Sequence, residues 1–418
     1  MRFALKWQAF MIKQVDASQL KVGMYIHDLN CQPVDHPFNR SSLKLTSHGQ
    51  IRKIRAACSN PLYIDTEKGL DATDAPTLQE AVSALEAELT TLAAGQCMLP
   101  VQTSLAEEMG NAKAIKGRAQ RTIRDVMHDA RLGNLIRLDD IEPVVEGITD
   151  SILRNPGALT GLSQIRNKDD YTFIHSVSVG ALLTAFCVSA KMDQDIVRQA
   201  GLGGLLHDAG KACVPDGVLN KPGKLTMEEF VVMQKHPEEG FELLSAIPGI
   251  GPIPLDIARH HHERFNGAGY PDRIAGGTIQ TLTQMAAICD VYDSVTSTRS
   301  YHIGMCPAAA LRMMFQWSKS HFDPKLVQDF MRCVGFYPVG TLVLLESGRL
   351  GVVVEQDECN LVTPKVNVFY DTRSLAYMPA RLLDLSKPLG AGGGDRIVSH
   401  ETPERWKVDP TPFLPFAA

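Results

Sequence analysis

Long apolar runs are missing from this sequence. The longest, about 14 residues around Val177–Ala190, falls short of the roughly 20 that a bilayer-spanning helix needs, so no membrane insertion is expected. The opening MRFALKWQAF has neither an apolar signal-peptide core nor a small-residue cleavage site, and a cytoplasmic protein is expected. Paired cysteines are absent too. The nine cysteines are an odd number, contain no C-x-x-C and mostly sit in apolar contexts, such as Cys187 in LTAFCVSA and Cys289 in AAICDVY. That pattern argues against a disulfide frame or a zinc–thiolate site and fits reduced, buried thiols. There is no excess of positive charge: 42 Lys and Arg against 47 Asp and Glu leave −5. The chain as a whole therefore offers no polycationic surface to a nucleic acid polymer or an anionic membrane. With 44% hydrophobic and 21% charged residues, it is not a disordered chain either.

At 418 residues the chain is expected to hold two or three domains. Residues 1–75 read as short strands and turns, for example GMYIHDL at Gly23–Leu29 and PLYIDTEKG at Pro61–Gly69, with the first ten as a frayed extension. Residues 76–139 read as a helical linker. In it Val82, Leu85, Leu89 and Leu92 form one apolar stripe, and seven Lys/Arg between Lys113 and Arg137 form a solvated face without interleaved aromatics. Residues 140–335 are almost wholly helical. Ile141, Val144, Val145, Ile148 and Ile152 share one face, and Thr226 with Glu229 forms a capping box for the helix LTMEEFVVMQKH. Residues 336–386 switch to strand periodicity, with Ser347-Gly348 turning a hairpin, and 387–418 read as a Gly/Pro-rich flexible tail.

Chemistry concentrates in the helical part. Six of thirteen histidines fall between His175 and His262. His175 sits on a helix in YTFIHSVSV. His207 and Asp208 are adjacent in LLHDAGK, where Gly210 is expected to end the helix. His236 sits on the capped helix, His261 and His262 are adjacent in HHERFNGAGYP, and Asp290 lies in the apolar helix MAAICDVYDSV. Any one of these histidines alone reads as a satisfied core residue. Asp208 and Asp290 are different, because a buried carboxylate costs several kcal/mol unless paired or bound to a cation. Five histidines and two aspartates facing one helical core share a reason if they surround divalent cations, and imidazole with carboxylate but no thiolate favours Fe or Mn over structural zinc.

His207-Asp208 with Gly210-Lys211, followed by HHERFNGAGYP at 261–271, resembles the HD-GYP branch of the HD metal-dependent phosphohydrolase superfamily. NKPGKLTMEEF at 220–230 and DVYDSVTSTRSY at 290–301 agree, and the resemblance covers about Asp140 to Val334. The N-terminal portion resembles the small domain of unknown role that often precedes this module. The resemblance implies a multidomain, mainly α protein. Its all-helical HD-type catalytic domain would follow a small mixed α/β N-terminal domain and carry a short β-rich C-terminal extension. The implied activity is hydrolysis of cyclic di-GMP to linear pGpG or GMP by attack of a hydroxide bridging two divalent metal ions, iron or manganese. Residue by residue, His175, His207, Asp208, His236, His261, His262 and Asp290 match the family's metal ligands, with Asp208 bridging. Lys211 matches the lysine beside the scissile phosphate, Gly269, Tyr270 and Pro271 the loop shaping the substrate pocket, and Arg299 a phosphate contact. Two cations sharing a water lower its pKa from about 15.7 to roughly 7, giving hydroxide at neutral pH.

The sequence departs from the family at several positions. Tyr171 stands where some members carry a glutamate for a third metal, so two ions are expected. Asn266 replaces a frequent aspartate, Ser300 the proline after Arg299, and His302 a commonly basic residue. His260 is expected on the surface rather than among the ligands, and Asp293 either to orient a ligand or to cap locally. Two alternatives stand beside cyclic di-GMP hydrolysis: a phosphodiesterase for 3′,3′-cyclic GMP-AMP, and a non-hydrolysing cyclic di-GMP sensor. Retention of all seven ligand positions and Lys211 favours catalysis. The N-terminal domain carries no recognisable ligand motif, and a homodimer or a regulatory protein partner is expected through it.

Overall fold

The computed structural model describes, in the main, residues 11–30, 42–81, 101–163, 171–297, 304–388 and 394–414. The first ten residues and most of the Val82–Leu92 stripe lie outside the described residues. The chain divides into two units, Met1–Leu92 and Ala93–Ala418, so the division falls later than residue 75.

In the first unit, β1 (Ile12–Val15), β2 (Tyr25–Asp28), β3 (Leu43–Lys44) and β4 (Leu62–Asp65) form an antiparallel sheet ordered β1-β4-β2-β3. Helix α1 (His48–Ala57) starts where Ser47 and Gln50 cap each other's backbone N–H groups. Ile51 and Ile54, one turn apart on α1, share a buried core with Val15, Met24, Ile26, Leu62 and Ile64. Mixed α/β is the outcome, as expected.

The second unit opens with α2 (Leu105–Leu132), α3 (Leu138–Arg154), α4 (Pro156–Ser163), α5 (Tyr171–Ser189) and α6 (Gln194–Leu206). Helix α2 is not a linker: it packs on α3, α4 and α5, and its buried Glu108 accepts two hydrogen bonds from Arg154 of α3 at 2.7 and 2.9 Å. Its basic side, including Arg118, Arg121 and Arg124, is exposed, as the sequence suggests. Helix α5 is apolar nearly all round and becomes the central helix. Against it α6 approaches closely because Gly180 meets Gly204: a Cβ on Gly204 would stand 2.9 Å from the Gly180 Cα. That approach brings the His175 and His207 rings to 5.2 Å.

There follow α7 (Asp216–Leu219), α8 (Met227–Met233), α9 (His236–Ser245), α10 (Pro252–His260), α11 (Thr281–Thr296), α12 (Pro307–Trp317) and α13 (Pro324–Val334). Two expectations are corrected here. The capping box of Thr226 and Glu229 is present, but its helix ends at Met233, and His236 opens α9 instead. Pro237 explains the break, since it has no N–H to continue the ladder. Gly210 does not end α6 either. The helix stops at Leu206, and Gly210 lies inside a 3-10 turn, Ala209–Cys213, against the His236 carbonyl.

The C-terminal sheet comprises β5 (Leu342–Leu345), β6 (Arg349–Glu355), β7 (Lys365–Asp371), β8 (Ala376–Asp384) and β9 (Ile397–His400), ordered β8-β7-β6-β5-β9. The expected hairpin at Ser347-Gly348 joins β5 and β6. The expected flexible tail is corrected: β9 pairs with β5, Val408 is buried, and Phe413 stacks on Phe369 at 4.2 Å. An apolar sheet face needed a cover, and the chain end supplies it. Cys58, Cys187, Cys213, Cys289, Cys306 and Cys333 are free thiols. Among the described residues no helix is long and apolar enough to cross a membrane.

Within this sheet His400 lies beside Arg312 of α12, 2.7 Å from its guanidinium, and burial followed by the Arg312 charge push its pKa down to about 4 from 6.5. The unfolded chain therefore takes up a proton as pH falls from 6.5 towards 4 while the folded chain does not. Stability from this site is present above pH 6.5 and lost on acidification to pH 4. Replacing His400→Asn should flatten the fall of the thermal midpoint in that window. An unchanged pH profile would mean that the C-terminal segment does not pack as described.

Candidate metal centre

Each side chain of the candidate centre comes from a helix or a helix end. His175 sits on α5 one turn from its start, His207 and Asp208 follow the end of α6, His236 opens α9, His261 and His262 follow α10, and Asp290 lies in α11. The structure brings all seven together. Donor atoms of Asp208, His236, His261 and His262 lie within 4.8 Å of one another, as do those of His175, His207 and Asp208. The Oδ2 of Asp208 is 3.6 Å from His175 Nε2 and 3.3 Å from His207 Nε2, and its Oδ1 is 3.4 Å from His236 Nε2 and 3.8 Å from His261 Nε2. Asp290 Oδ1 reaches His175 Nε2 at 3.0 Å and His207 Nε2 at 3.9 Å. Asp208 stands between the two groups.

The rings are fixed from behind. His207 Nδ1 donates to the Gly204 carbonyl at 2.8 Å, His236 Nδ1 to that of Met233 at 2.7 Å, and His261 Nδ1 to that of Ala258 at 3.0 Å. Each acceptor lies three residues upstream in the last turn of a helix, where carbonyls lack intrahelical partners. Mid-helix His175 has no such carbonyl and donates instead to Asp293 Oδ2 at 2.6 Å. Asp293 therefore orients a ring rather than capping locally. With Nδ1 occupied, every one of these four rings turns Nε2 inward.

Burial pushes His236 down to about 4 and His261 to about 3, and holds His262 well below 6.5. Their rings are neutral at pH 7. Burial opposes ionisation of Asp208, yet Lys211 and His207 hold it well below the usual carboxylate range. Asp290 is held down likewise by His175. Lys211 Nζ is 2.6 Å from Asp208 Oδ2 and is about a quarter exposed, 23%. The pocket thus gathers ionised carboxylates and the neutral rings of His236, His261 and His262, while His207 Nε2 and Asp208 Oδ1 are buried without a hydrogen-bond partner. Orphaned polar atoms converging in a buried site fit one or two divalent cations, and no thiolate belongs to the set.

The G-Y-P loop borders this set. A Cβ on Gly269 would stand 2.5 Å from the backbone of Glu263 and Arg264, so only glycine lets the loop lie on the histidine segment. Tyr270 N–H donates to the His262 carbonyl at 3.3 Å, and its ring stacks on that of His262 with centroids 4.7 Å apart. Pro271 follows Tyr270 through a cis peptide. Glu263, buried behind the pair, accepts from the backbone N–H groups of Asp272 and Arg273 at 2.7 and 2.8 Å. Its place next to the HH pair was the only sequence signal for that role. Arg299, Ser300 and His302 lie outside the described residues, as does the side chain of Tyr171. Asn266 keeps the turn, its side chain accepting from Ala268 N–H at 3.0 Å. His260 is turned away from the centre, between Asp256 and Asp272. A cavity of about 600 Å³ lined by Phe241, Leu255, Arg259 and Leu282 also lies beside α10, and none of the seven donors lines it.

Residues 149–326 match the HD domain, and residues 12–141 match the domain of unknown function DUF3391. The cyclic di-GMP phosphodiesterase PA4108 of Pseudomonas aeruginosa is 41% identical over 397 residues, covering 95% of this chain and 94% of that protein. The cyclic di-GMP phosphodiesterase response regulator RpfG of Xanthomonas campestris pv. campestris is 39% identical over 145 residues, 34% of this chain and 38% of that protein. The 3′3′-cGAMP-specific phosphodiesterase 2 of Vibrio cholerae is 36% identical over 140 residues, 33% of this chain and 26% of that protein. A helical bundle with paired histidine and aspartate donors defines an HD-domain protein. The chain belongs to the HD-GYP family of phosphodiesterases, in the form that has a DUF3391 domain before the HD domain.

Replacing Asp293→Asn takes the carboxylate from His175 while keeping its shape. Metal affinity is expected to fall about 10- to 100-fold with helical content unchanged, as measured by metal retained after dialysis against a weak chelator. Wild-type retention would remove Asp293 from the centre.

Proposed function

We propose that the protein is a metal-dependent phosphodiesterase that hydrolyses cyclic di-GMP, giving pGpG, GMP or both. One observation carries the reading: Asp208 presents one oxygen to His236 and His261 and the other to His175 and His207, the arrangement a carboxylate needs to bridge two cations. In this reading His175, His207 and Asp290 would hold one ion and His236, His261 and His262 the other, with Asp208 available to both. Iron or manganese suits that donor set. When bound, such ions supply Lewis acidity, acidifying water and drawing charge from phosphoryl oxygens.

The chain's own groups do the rest. Lys211 is held at the rim by Asp208 and carries a compact positive charge whose N–H groups could donate to a phosphate oxygen. Gly269, Tyr270 and Pro271 are assigned to the substrate side of the pocket beside His262, on whose ring Tyr270 is stacked. Arg299 is assigned to a second phosphate oxygen by resemblance. Burial of the donors keeps competing water away and the imidazoles unprotonated. A relative aligned over nearly the whole chain is a cyclic di-GMP enzyme, and this favours cyclic di-GMP over 3′,3′-cyclic GMP-AMP, for which the match is shorter. Intact donors and Lys211 favour turnover over sensing alone. The N-terminal unit holds no cluster of metal-type donors among its described residues. We assign it contact with a second copy or a regulatory protein.

Anaerobic purification, metal analysis and turnover of both cyclic dinucleotides test the reading. His207→Ala and Asp208→Ala are expected to lose turnover by at least about 1,000-fold with the helical spectrum retained. Lys211→Ala should lower kcat more than metal content. Turnover that survives Asp208→Ala would reject the centre.

A further inference from the structure

Helix α10 bears His261 and His262 just beyond its end, and its outward residues make a second set of contacts. Arg259 forks onto Asp272, with Nε donating to Oδ2 at 2.7 Å and Nη2 to Oδ1 at 3.0 Å. His260 places Nε2 2.9 Å from the same Asp272 Oδ2 and Nδ1 2.8 Å from Asp256 Oδ1. Both nitrogens face carboxylate oxygens, so both carry hydrogens. Asp256 in turn accepts a short hydrogen bond from Thr283 of α11, the helix that carries Asp290 and Asp293. Asp272 directly follows Pro271, two residues beyond the tyrosine whose ring lies on His262.

An exposed ion pair is ordinarily worth little. This one differs in three respects. It is bidentate, it shares its carboxylate with a second donor, and the backbone it holds is already tied to Glu263 through Asp272 N–H and Arg273 N–H. The guanidinium is also stacked over the Phe241 ring at 5.1 Å, which limits its freedom. None of these groups reaches the donor cluster. Their leverage is on where Tyr270 sits.

Resting on the phosphodiesterase reading for its substrate, we propose that Arg259 and His260 form a positioning clamp that holds Asp272 and thereby sets the G-Y-P loop at the distance from His262 that a cyclic dinucleotide requires. They are positioning residues, not catalytic ones. Losing the clamp lets the loop lift and weakens substrate capture, while His175, His207, His236 and His261, whose rings are held through other contacts, stay in place.

The test uses full-length, metal-loaded protein carrying Arg259→Gln, Asp272→Asn or Arg259→Lys. Backbone hydrogen exchange in peptides spanning 266–275 should become about tenfold faster in the first two, with exchange in α5 and α6 and the metal content unchanged. The KM for cyclic di-GMP should rise about tenfold with kcat within about threefold, and Arg259→Lys, which keeps the charge but not the fork, should fall between. Unaltered loop exchange would overturn the clamp whether or not the protein turns over cyclic di-GMP. Loss of metal, or faster exchange throughout α5 and α6, would make Arg259 a fold residue and overturn it equally. A loosened loop in a protein whose wild type shows no turnover upholds the clamp and defeats the phosphodiesterase reading instead.

Discussion

Two ionised carboxylates and five imidazoles share one buried pocket at the end of the central helix, and that excess of donors over counter-charges governs the rest of the structure. Lys211 is a single cation, and it is partly exposed. Removing carboxylates from water costs several kcal/mol each unless charge or hydrogen bonds compensate. In this pocket Asp208 Oδ1 and His207 Nε2 find no hydrogen-bond partner. A packed helical core does not tolerate such a set for its own sake. One or two divalent cations fit these orphaned atoms, and the polar cluster is intelligible as a site for them.

Holding five rings in register requires something behind each of them, and helix ends supply it at low cost. A carbonyl in a last turn has no N–H four residues ahead, so it is free for a side chain. His207, His236 and His261 each use the carbonyl three residues back. Placing these rings just past helix ends therefore solves two problems: it orphans no carbonyl and it fixes which nitrogen faces the cluster. His175 lies within α5, where carbonyls are already engaged, and a carboxylate from α11 takes their place. A mid-helix ligand needs a partner from another element, and Asp293 is buried because of it.

Much of this was legible from residue order. Helical periodicity, the strand switch after Gly335 and the histidine motifs all lie in local sequence. The misreadings have two causes: one local break passed over, and contacts that are remote in sequence. LTMEEFVVMQKH looks like one helix until Pro237 removes an N–H, and the ring of His236 then takes the Met233 carbonyl. The segment Ile397–His400 is short and follows a glycine run, so nothing local marks it as a strand; pairing with β5 does. Arg259 and Asp272 are thirteen residues apart across an irregular loop, a separation with no helical or strand period. Asp293 was only half legible, since position 293 shares a helix face with 290 but its partner lies 118 residues away.

Helix α10 shows how far one element can divide its tasks. Its apolar side buries Pro254, Ile257 and Ala258, its end delivers two histidines inward, and its outer side grips the loop that follows them. Because Arg259 and His260 end α10 and His261 and His262 follow directly, the distance between the histidine cluster and the G-Y-P loop is governed by the helix end and one turn rather than by the loop alone. A loop positioned by its own residues would carry the entropy of every rotatable bond between Gly267 and Gly276. Tied at Asp272 and at Glu263, it is left with few bonds free, and the G-Y-P segment is braced against helix α10.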